Sequence, residues 1–221
     1  MSQSLEMALA ERWSCRAFKS DPIAPDLITD IVSAAGRAPS WNNTQPWQLI
    51  VTEPKETDRL RQALYTHAQS NPPGPDLDWP TEYPDVLGER RRTCGWQLYG
   101  ALGIQKGDRA ASGKQMMENF RFFGAPHVAI VTTPRVLGAY GALDAGGFIT
   151  AFCLAAQAKG VATIAQAAVA GHSQFLREWF GIEDDRLILC GIAFGYPDTH
   201  HPANSYRTER AAANDLIDWR S

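Results

Sequence analysis

The sequence predicts an α+β fold in a single domain. Its 221 residues are 44% hydrophobic and 20% charged, a balance typical of globular proteins and far from that of disordered chains. Segments with helical spacing of apolar residues alternate with short strand-like runs, but the alternation is irregular, which favours the α+β class. At this length one large domain is commoner than two, so we expect residues 1–221 to fold as one unit.

The N-terminal part of the chain predicts three helices and one strand. Apolar residues recur at helical spacing over residues 3–12, 25–36 and 55–69, and a PIAP sequence at the second segment marks a helix start. The run QPWQLIVT at 45–52 has the β-branched and aromatic content of a buried strand. Between the first two helices, RWSCRAF at 12–18 is short and irregular.

The middle of the chain predicts an excursion between two strands. Residues 70–84, SNPPGPDLDWPTEYP, are rich in Pro, Gly and Asp and predict a surface loop. Helical periodicity returns over 85–105 and 112–122, and HVAIVTT at 127–133 predicts the next strand. We therefore interpret residues from 70 to 122 as a variable, mobile excursion.

A long apolar helix dominates the C-terminal part. Residues 140–159 are apolar almost all round, which predicts a helix buried inside the molecule or in a subunit interface, with Gly160 as its C-cap. Strand-like runs follow at 161–164 and 186–194, and a helix is predicted between them at 174–181. The chain then ends in a polar tail.

Charge and hydropathy exclude several classes of protein. The net charge is −3 and the isoelectric point is near 5.9, whereas nucleic-acid-binding proteins carry a concentrated basic excess, so no nucleic-acid partner is expected. The one basic run, Arg90-Arg91-Arg92, is interpreted as a solvated helix face. Neither a signal peptide nor an uninterrupted apolar stretch long enough to span a membrane is recognised, so no membrane partner is expected.

Several kinds of catalytic site are also not predicted. The four cysteines show no CxxC pairing, which favours a reducing, cytoplasmic setting. The five histidines show no metal-ligand spacing, so no metal site is expected. The chain contains no GxGxxG, GxxxxGK[ST] or GxSxG motif, so neither a dedicated dinucleotide or P-loop site nor a hydrolase nucleophile is expected.

The segment from residue 12 to 16 is a candidate anion site. In an extended segment Arg12, Ser14 and Arg16 project to the same side. Guanidinium groups suit bidentate contacts with phosphate or carboxylate oxygens, and a hydroxyl can complete such a site. The alternative is an exposed loop that makes surface salt bridges.

A second candidate segment, APSWNNTQPW at 38–47, is dense in amide and hydroxyl groups immediately before the first predicted strand. Amides supply both donors and acceptors, which suits the polar edge of a planar heterocycle. The alternative is a polar turn that caps its own backbone.

Together these segments resemble the paired N-terminal signature of the nitroreductase family, in particular its nitrobenzoate reductase-like members. Further blocks are similar in the same order: NFRFFGAP at 119–126, GVAT at 160–163, and GYP at 195–197 followed by Asn204 and RTER at 207–210. No single block is specific, but the ordered set spans most of the chain.

The resemblance implies a three-layer α/β/α flavoprotein fold with a small, mostly antiparallel central sheet, in an intertwined homodimer that pairs through the helix at 140–159. It implies FMN at the interface and hydride transfer from NADH or NADPH, via the flavin, to a nitroaromatic, quinone or similar small acceptor by a ping-pong mechanism. Sister activities (ene reduction, dehalogenation, flavin fragmentation), a non-catalytic flavin-binding protein and a flavin-free interaction protein stay open at this point.

The resemblance also implies which residues hold the FMN phosphate and the adjacent ring edge. Arg12, Ser14 and Arg210 match the phosphate ligands, and Arg207 is either a close neighbour or part of a structural salt bridge. Arg16 would lie near N1 and O2 of the ring, where a cation stabilises the reduced, anionic flavin. Trp13 and Cys15, which lie between Arg12, Ser14 and Arg16 in the sequence, are also expected to bind the cofactor.

The rest of the implied ring site comes from three places in the chain. Asn119 matches a ring-binding position, although a helix-capping role is the alternative. Ala165, Gln166 and Ala167 would run beside the far edge, with the Ala167 backbone N–H near N5. The residues expected at the flavin from the partner subunit are Pro39, Ser40 and Asn43, and Gln45 is expected at the ring or the ribityl chain.

The chain departs from the family pattern where substrate choice is decided. Trp41 and Asn42 stand in a turn that is commonly smaller, and the pair Gln166-Ala167 lacks an acidic residue that some members carry. Residues 70–110 fall where members vary most and line the substrate pocket. The segment contains four aromatic residues, which either stack on an aromatic substrate or pack in the core: Trp79, Tyr83, Trp96 and Tyr99.

Overall fold

The structure, a computed structural model, describes residues 4–220. The helices are α1 (Leu5–Glu11), α2 (Pro25–Ala35), α3 (Pro54–Ser70), α4 (Asp85–Ala101), α5 (Arg109–Met117), α6 (Gly138–Ala158), α7 (Ala167–Ala170) and α8 (Ser173–Phe180). The strands are β1 (Gln48–Val51), β2 (His127–Pro134), β3 (Ala162–Gln166) and β4 (Arg186–Gly195). The predicted α+β class is confirmed; residue 3 of the first predicted helix lies outside the described residues.

Local capping explains several helix ends. The Ser4 hydroxyl accepts the Met7 N–H across 3.2 Å, and Pro25 occupies the first turn of α2, where its missing N–H costs nothing. After α6, Gly160 adopts a left-handed φ of 74°, as expected of the predicted C-cap.

The four strands form one sheet in the order β1-β2-β4-β3, and every neighbouring pair is antiparallel. In the middle of the sheet, Ile130 of β2 lies opposite Ile50 on one side and Gly191 on the other. The small antiparallel sheet predicted from the resemblance is therefore confirmed.

Alternate residues of β2 enter two separate cores. Val128 and Ile130 pack with α3 and α8 on one face of the sheet. Ala129 and Val131 pack with α2 and α6 on the other face. Helices thus cover both faces of the sheet, which confirms three layers and explains why β2 reads as a continuous apolar run.

The long helix α6 has one face in the core and one face outside it. Phe148 and Phe152 are buried under the sheet, whereas Tyr140 and Leu143 are exposed. Residues 135–158 are long and apolar enough to cross a membrane by length and composition, with a mean hydropathy of 1.4. A helix at the core of a globular protein meets the same criterion, so this finding carries no further conclusion.

The predicted mobile loop at 70–84 is irregular, but its middle is fixed to the core. The Asp76 carboxylate accepts hydrogen bonds from Arg177 Nη2 at 2.7 Å and from the Ile188 N–H at 2.8 Å. The Gly74 N–H donates to Gly171 O at 2.7 Å. These partners lie about one hundred residues away, so no local pattern in the sequence reports them. The mobility of the excursion stays a prediction.

Two predicted elements have different bounds for tertiary reasons. The helix predicted to residue 122 ends at Met117, and a 3₁₀ turn follows in which Phe122 and Phe123 have left-handed φ values of 55° and 51°. Both rings are buried, and that burial compensates a backbone cost of about 1–2 kcal/mol each. The strand predicted from residue 45 begins at Gln48, since Gln45 has a φ of 48°.

Candidate functional site

A large cleft lies between the 12–16 segment, α4 and the C-terminal tail, and its volume is about 900 Å³. The 12–16 segment runs along the edge of the sheet, where Ser14 bridges Thr163 and the Cys15 N–H donates to Thr163 O at 3.0 Å. This pairing keeps the segment extended. Arg12, Ser14 and Arg16 all line the cleft, and so does Trp13, which strict alternation would place on the opposite side.

Cys15 projects the opposite way. Its side chain is fully buried and its thiol donates to Ala17 O at 3.1 Å. Burial raises the pKa of this thiol to about 11, so it stays protonated. Of the five residues in the predicted cofactor-binding segment, Cys15 can therefore reach the cleft through its backbone alone.

The two ends of the chain meet through Asn204. Its side-chain oxygen accepts the Arg16 N–H at 2.8 Å, and its amide donates to Ala17 O at 2.9 Å. This places Arg207 and Arg210 in the same cleft as Arg12. The sequence placed Asn204 in a family block without a role. Its buried amide joins the two segments together with backbone hydrogen bonds such as that from the Lys19 N–H to Tyr196 O.

The cleft is strongly basic. Five arginines and two glutamates line it, which leaves an excess of three positive charges: Arg12, Arg16, Arg90, Arg207 and Arg210 against Glu89 and Glu209. Such a concentration of charge in a concave site focuses a positive potential on an anionic ligand.

The arginines differ in how far the chain itself engages them. Arg16 Nη1 donates to Ser14 O at 3.2 Å and to the Tyr206 hydroxyl at 3.0 Å. Arg207 lies 4.2 Å above the Trp13 ring and donates to Tyr206 O, while Arg210 donates to the Thr208 hydroxyl. Burial raises the pKa of Tyr206, so its hydroxyl remains a donor.

Arg12 and Arg90 have no such partners. Within residues 4–220, neither guanidinium makes a hydrogen bond, an ion pair or a ring contact. Two buried polar atoms of cleft residues are also unpaired there, Trp13 Nε1 and Gln97 Oε1. Unpaired buried polar atoms are costly, so this lining suits a ligand that carries both an anionic group and hydrogen-bonding groups.

Asn119 and Gln166 are joined to each other. The Gln166 side-chain amide donates to Asn119 O at 2.9 Å and to Asn119 Oδ1 at 3.2 Å. The Asn119 amide in turn donates to Met116 O at 2.8 Å, the capping type of contact that was the alternative. Gln166 is buried whereas Ala165 and Ala167 on either side of it are exposed, so its side chain supports Asn119 from behind the exposed edge of β3.

These residues adjoin the cleft without lining it. Ala165 is two residues along β3 from Thr163, the partner of Ser14, which is about 7 Å at the spacing of a strand. The 12–16 segment and the end of β3 therefore form one continuous edge of the molecule.

The polar segment at 38–47 is not brought to this cleft within the chain. The Ser40 hydroxyl accepts the Gln45 N–H at 2.9 Å, and the Gln45 amide donates to Asn43 O at 3.2 Å. The Trp41 N–H donates to the Asp144 carboxylate of α6. The turn that caps its own backbone is thus present, and the predicted role of this segment, Pro39 included, in a partner's site stays a prediction.

The aromatic residues of the excursion do not line the cleft of their own chain, and the Trp79 ring packs against the buried Gly171. Trp79, Tyr83, Trp96 and Tyr99 are absent from the cleft lining, and the first three are exposed. Trp96 and Tyr99 contact each other with 5.8 Å between ring centres. The helix α4 instead presents polar residues to the cleft, which aromatic content could not reveal.

No group of three or more His, Cys, Asp or Glu side chains in residues 4–220 is arranged to hold a metal ion. Across the same residues the four cysteines are all free thiols.

Comparison with known proteins places this site in context. Residues 9–196 match the model of the nitroreductase family. The chain is 35% identical to nitroreductase NfnB of Mycolicibacterium smegmatis over 219 residues, covering 97% of this chain and 92% of that protein. It is 33% identical to a 4-nitrobenzoate reductase of Pseudomonas putida, covering 96% and 94%.

A solved structure agrees closely in fold. The crystal structure of the FMN-dependent nitroreductase NfnB from Mycobacterium smegmatis in complex with NADPH superimposes with a TM-score of 0.93 at 33% identity, covering 98% of this chain and 97% of that one. The family motifs occur in order along the chain, helices cover both faces of the sheet, and an arginine-lined cleft lies where the two ends of the chain meet. The chain belongs to the nitroreductase family.

Proposed function

We propose that this protein is an FMN-dependent oxidoreductase that passes hydride from NADPH or NADH to a nitroaromatic, quinone or similar small acceptor. The observation that carries the proposal is the convergence of Arg12, Ser14 and Arg210, from opposite ends of the chain, on one basic cleft. A flavin-free protein would have no reason to gather unpaired positive charge there, because like charges repel.

The lining fits the phosphate end of FMN. Arg12 is half-buried and unpaired within residues 4–220, Ser14 lines the same cleft, and Arg210 lines it from the C-terminal tail. A phosphate monoester brings close to two negative charges and three acceptor oxygens, and planar guanidinium groups bind such oxygens in pairs. Arg207, whose guanidinium lies over the Trp13 ring, is a neighbour that stabilises the position of the tail beside the phosphate site.

The edge formed by Arg16 and the end of β3 fits the ring end. Arg16, oriented by Tyr206, would lie by N1 and O2, and the exposed backbone at Ala167 would offer its N–H near N5. Asn119, held by Gln166, would contact the ring. FMN supplies the hydride chemistry when bound, while the chain binds it, orients it and stabilises charge on it.

We propose a homodimer with one site on each side of its interface. Exposed apolar residues on α6 and beside it, such as Tyr140, Leu143 and Trp41, would otherwise face water. The 38–47 segment lies against the exposed beginning of α6, so that dimerisation through α6 would carry Pro39, Ser40, Asn43 and Gln45 toward the partner's site.

Both reactants would use the same cleft in turn, in a ping-pong mechanism. The chain has no GxGxxG or P-loop motif for a separate nucleotide site, so the nicotinamide nucleotide would bind over the flavin, leave and make room for the acceptor. The relatives are a nitroreductase and a 4-nitrobenzoate reductase, which supports nitroaromatic acceptors. The reduced thiols support a cytoplasmic setting.

The visible spectrum of the purified protein, before and after anaerobic NADPH, tests the proposal. A two-banded flavin spectrum that bleaches rapidly is the expected result. A flavin that does not bleach would favour a non-catalytic binding protein, and no flavin after incubation with FMN would contradict the proposal.

Matched variants test the phosphate site itself. Arg12→Gln and Arg210→Gln should each lower FMN affinity about tenfold or more, because a charge-assisted hydrogen bond contributes about 1.5–3 kcal/mol. Arg109→Gln is the control, since Arg109 is exposed and lies outside the cleft. Unchanged affinity in both cleft variants would remove Arg12 and Arg210 from the site.

A further inference from the structure

The helix α4 contributes one continuous stripe to the cleft. Its cleft-lining residues recur at helical spacing along one face: Val86, Glu89, Arg90, Thr93, Cys94 and Gln97. Gly88 is the only buried residue of this helix. The helix therefore contributes little to the core of its own chain, and one of its faces lines the cleft.

Within the basic run, Arg90 alone faces the cleft. Arg91 turns away, with its guanidinium 5.1 Å from the Tyr83 ring, and Arg92 lies beside Gly88 on the other side of the helix. All three arginines are exposed, as expected of a solvated helix face, but only the face with Arg90 borders the cleft.

Arg90 also stands apart from the FMN phosphate ligands proposed above. Those residues belong to the sheet edge and the C-terminal tail, whereas Arg90 projects from the helix that forms the facing wall. One phosphate carries at most about two negative charges, and the cleft holds an excess of three positive charges. The cleft therefore has positive charge for a second oxyanion beside the FMN phosphate.

Gln97 indicates what kind of molecule carries that oxyanion. It lies seven residues after Arg90 on the same stripe, and its buried side-chain oxygen has no donor within residues 4–220. A nicotinamide nucleotide offers N–H groups on its carboxamide and its adenine. The Thr93 hydroxyl, between the two, can donate to a phosphate oxygen.

We propose that Arg90, with Thr93 and Gln97, binds the phosphorylated adenosine of NADPH and so selects NADPH over NADH. This inference rests on the proposed function. The guanidinium would pair with the 2′-phosphate, which NADH lacks, so the interaction discriminates between the two donors and leaves FMN binding unaffected.

Kinetics of the FMN-loaded enzyme give the first test, with Arg90→Gln against Arg91→Gln as the matched control. In Arg90→Gln the KM for NADPH should rise about tenfold or more, while the KM for NADH, kcat and the FMN affinity stay as in the parent. Arg90→Lys should restore part of the preference, because it keeps the charge but loses the bidentate geometry. Arg91→Gln should behave as the parent.

Binding without turnover gives the second test. Adenosine 2′-monophosphate and adenosine are titrated calorimetrically into the holoprotein, and Arg90→Gln should weaken the first about tenfold and leave the second unchanged.

Three results for Arg90→Gln would overturn the inference: an equal rise in KM for NADPH and NADH, a loss of FMN affinity, or no change in either assay. A fourth would come from the acceptor: if Arg90→Gln raised the KM only for a nitroaromatic carboxylate, and not for the corresponding uncharged amide, Arg90 would bind the acceptor and not NADPH. A parent protein that binds no FMN contradicts the proposed function instead, and is seen before any variant is made.

Discussion

Arg177 Nη2 donates to Asp76 Oδ2 across 2.7 Å, and the two side chains are 8% and 13% exposed. The same oxygen accepts the Ile188 N–H. This pair ties the loop before α4 to α8 and β4. A largely buried ion pair therefore anchors the loop that leads to α4, although the loop itself has no regular structure.

Removing the charge of Asp76 should destabilise the fold. In Asp76→Asn the Arg177 guanidinium keeps its burial but loses its principal counter-ion, and breaking a buried pair in this way costs about 3–5 kcal/mol. Denaturant unfolding measures the change. Asp30→Asn is the control, because the Asp30–Lys159 pair is exposed and should be worth less than about 1 kcal/mol. Equal effects of the two variants would show that the burial of Asp76 has no energetic consequence.

A second prediction concerns the protonation state of His127. This ring is buried between the Ile23 N–H, which donates to Nε2 at 3.0 Å, and Thr52 O, which lies 2.9 Å from Nδ1. The pairing requires the neutral tautomer with hydrogen on Nδ1. Nitrogen NMR of the imidazole should find that tautomer at neutral pH, and hydrogen on Nε2 would contradict the assignment.

The pKa of His127 has a consequence for acid stability. Desolvation lowers this pKa below its ordinary value of 6.5, and burial and His67 do the same for His172. The unfolded state therefore binds protons first as the pH falls. Stability should be fully present above pH 6.5 and decline below it. Replacing the exposed His200 by Gln should leave that decline unchanged, whereas His127→Gln should reduce its slope.

At alkaline pH the buried thiols should have the opposite effect. Burial raises the pKa of Cys15 to about 11 and that of Cys190 to about 12, from an ordinary value of 9.0. Because the unfolded chain loses these protons first, stability is complete below pH 9 and falls as the pH rises through the folded-state values. The free energy of unfolding, measured with denaturant, should fall by about 2–3 kcal/mol between about pH 8 and pH 10.

Single replacements identify the thiols responsible. Burial raises the pKa of Cys153 as well, so Cys15→Ser, Cys153→Ser and Cys190→Ser should each reduce that alkaline slope by part of its value. Cys94→Ser should leave it unchanged, because Cys94 is only half-buried. An undiminished slope in a variant with Cys15, Cys153 and Cys190 all replaced by Ser would assign the effect to other groups.

The parts of the site that follow from local pattern were predictable from the sequence. The spacing of an extended segment predicts that Arg12, Ser14 and Arg16 face one site, and all three line the cleft, although Trp13 lines it too. The meeting of Arg12 with Arg210 is a different case. No local rule relates residues two hundred positions apart, so that prediction depended on the ordered family motifs.

The parts that failed depend on tertiary contacts. Asp76 reads as a turn residue because its partners lie on α8 and β4. Phe122 and Phe123 continue a helical pattern, but the burial of their rings outweighs helix propensity. The cleft-facing role of α4 was hidden because its stripe is polar and mixed, and polarity alone predicts a solvated face.

The last prediction separates Arg207 from Arg210, which the sequence left with similar roles. Arg207 lies over the Trp13 ring at 4.2 Å and donates to Asn204 O at 2.9 Å, the residue that joins the two chain ends. Arg210 bonds only to its immediate neighbours in the tail. Arg207 therefore holds the tail onto the 12–16 segment, whereas Arg210 is supported by the tail alone.

Replacing Arg207 and replacing Arg210 should therefore have different effects on the stability of the FMN-free protein. Arg207→Gln should lower the free energy of unfolding of the FMN-free protein by about 0.5–2 kcal/mol through the lost cation–π contact, and Arg210→Gln should not. A double-mutant cycle with Trp13→Leu isolates the contact, since coupling appears only between groups that touch. Additive effects of Trp13→Leu and Arg207→Gln would mean that the stacking contributes nothing, and that Arg207, like Arg210, acts through the ligand.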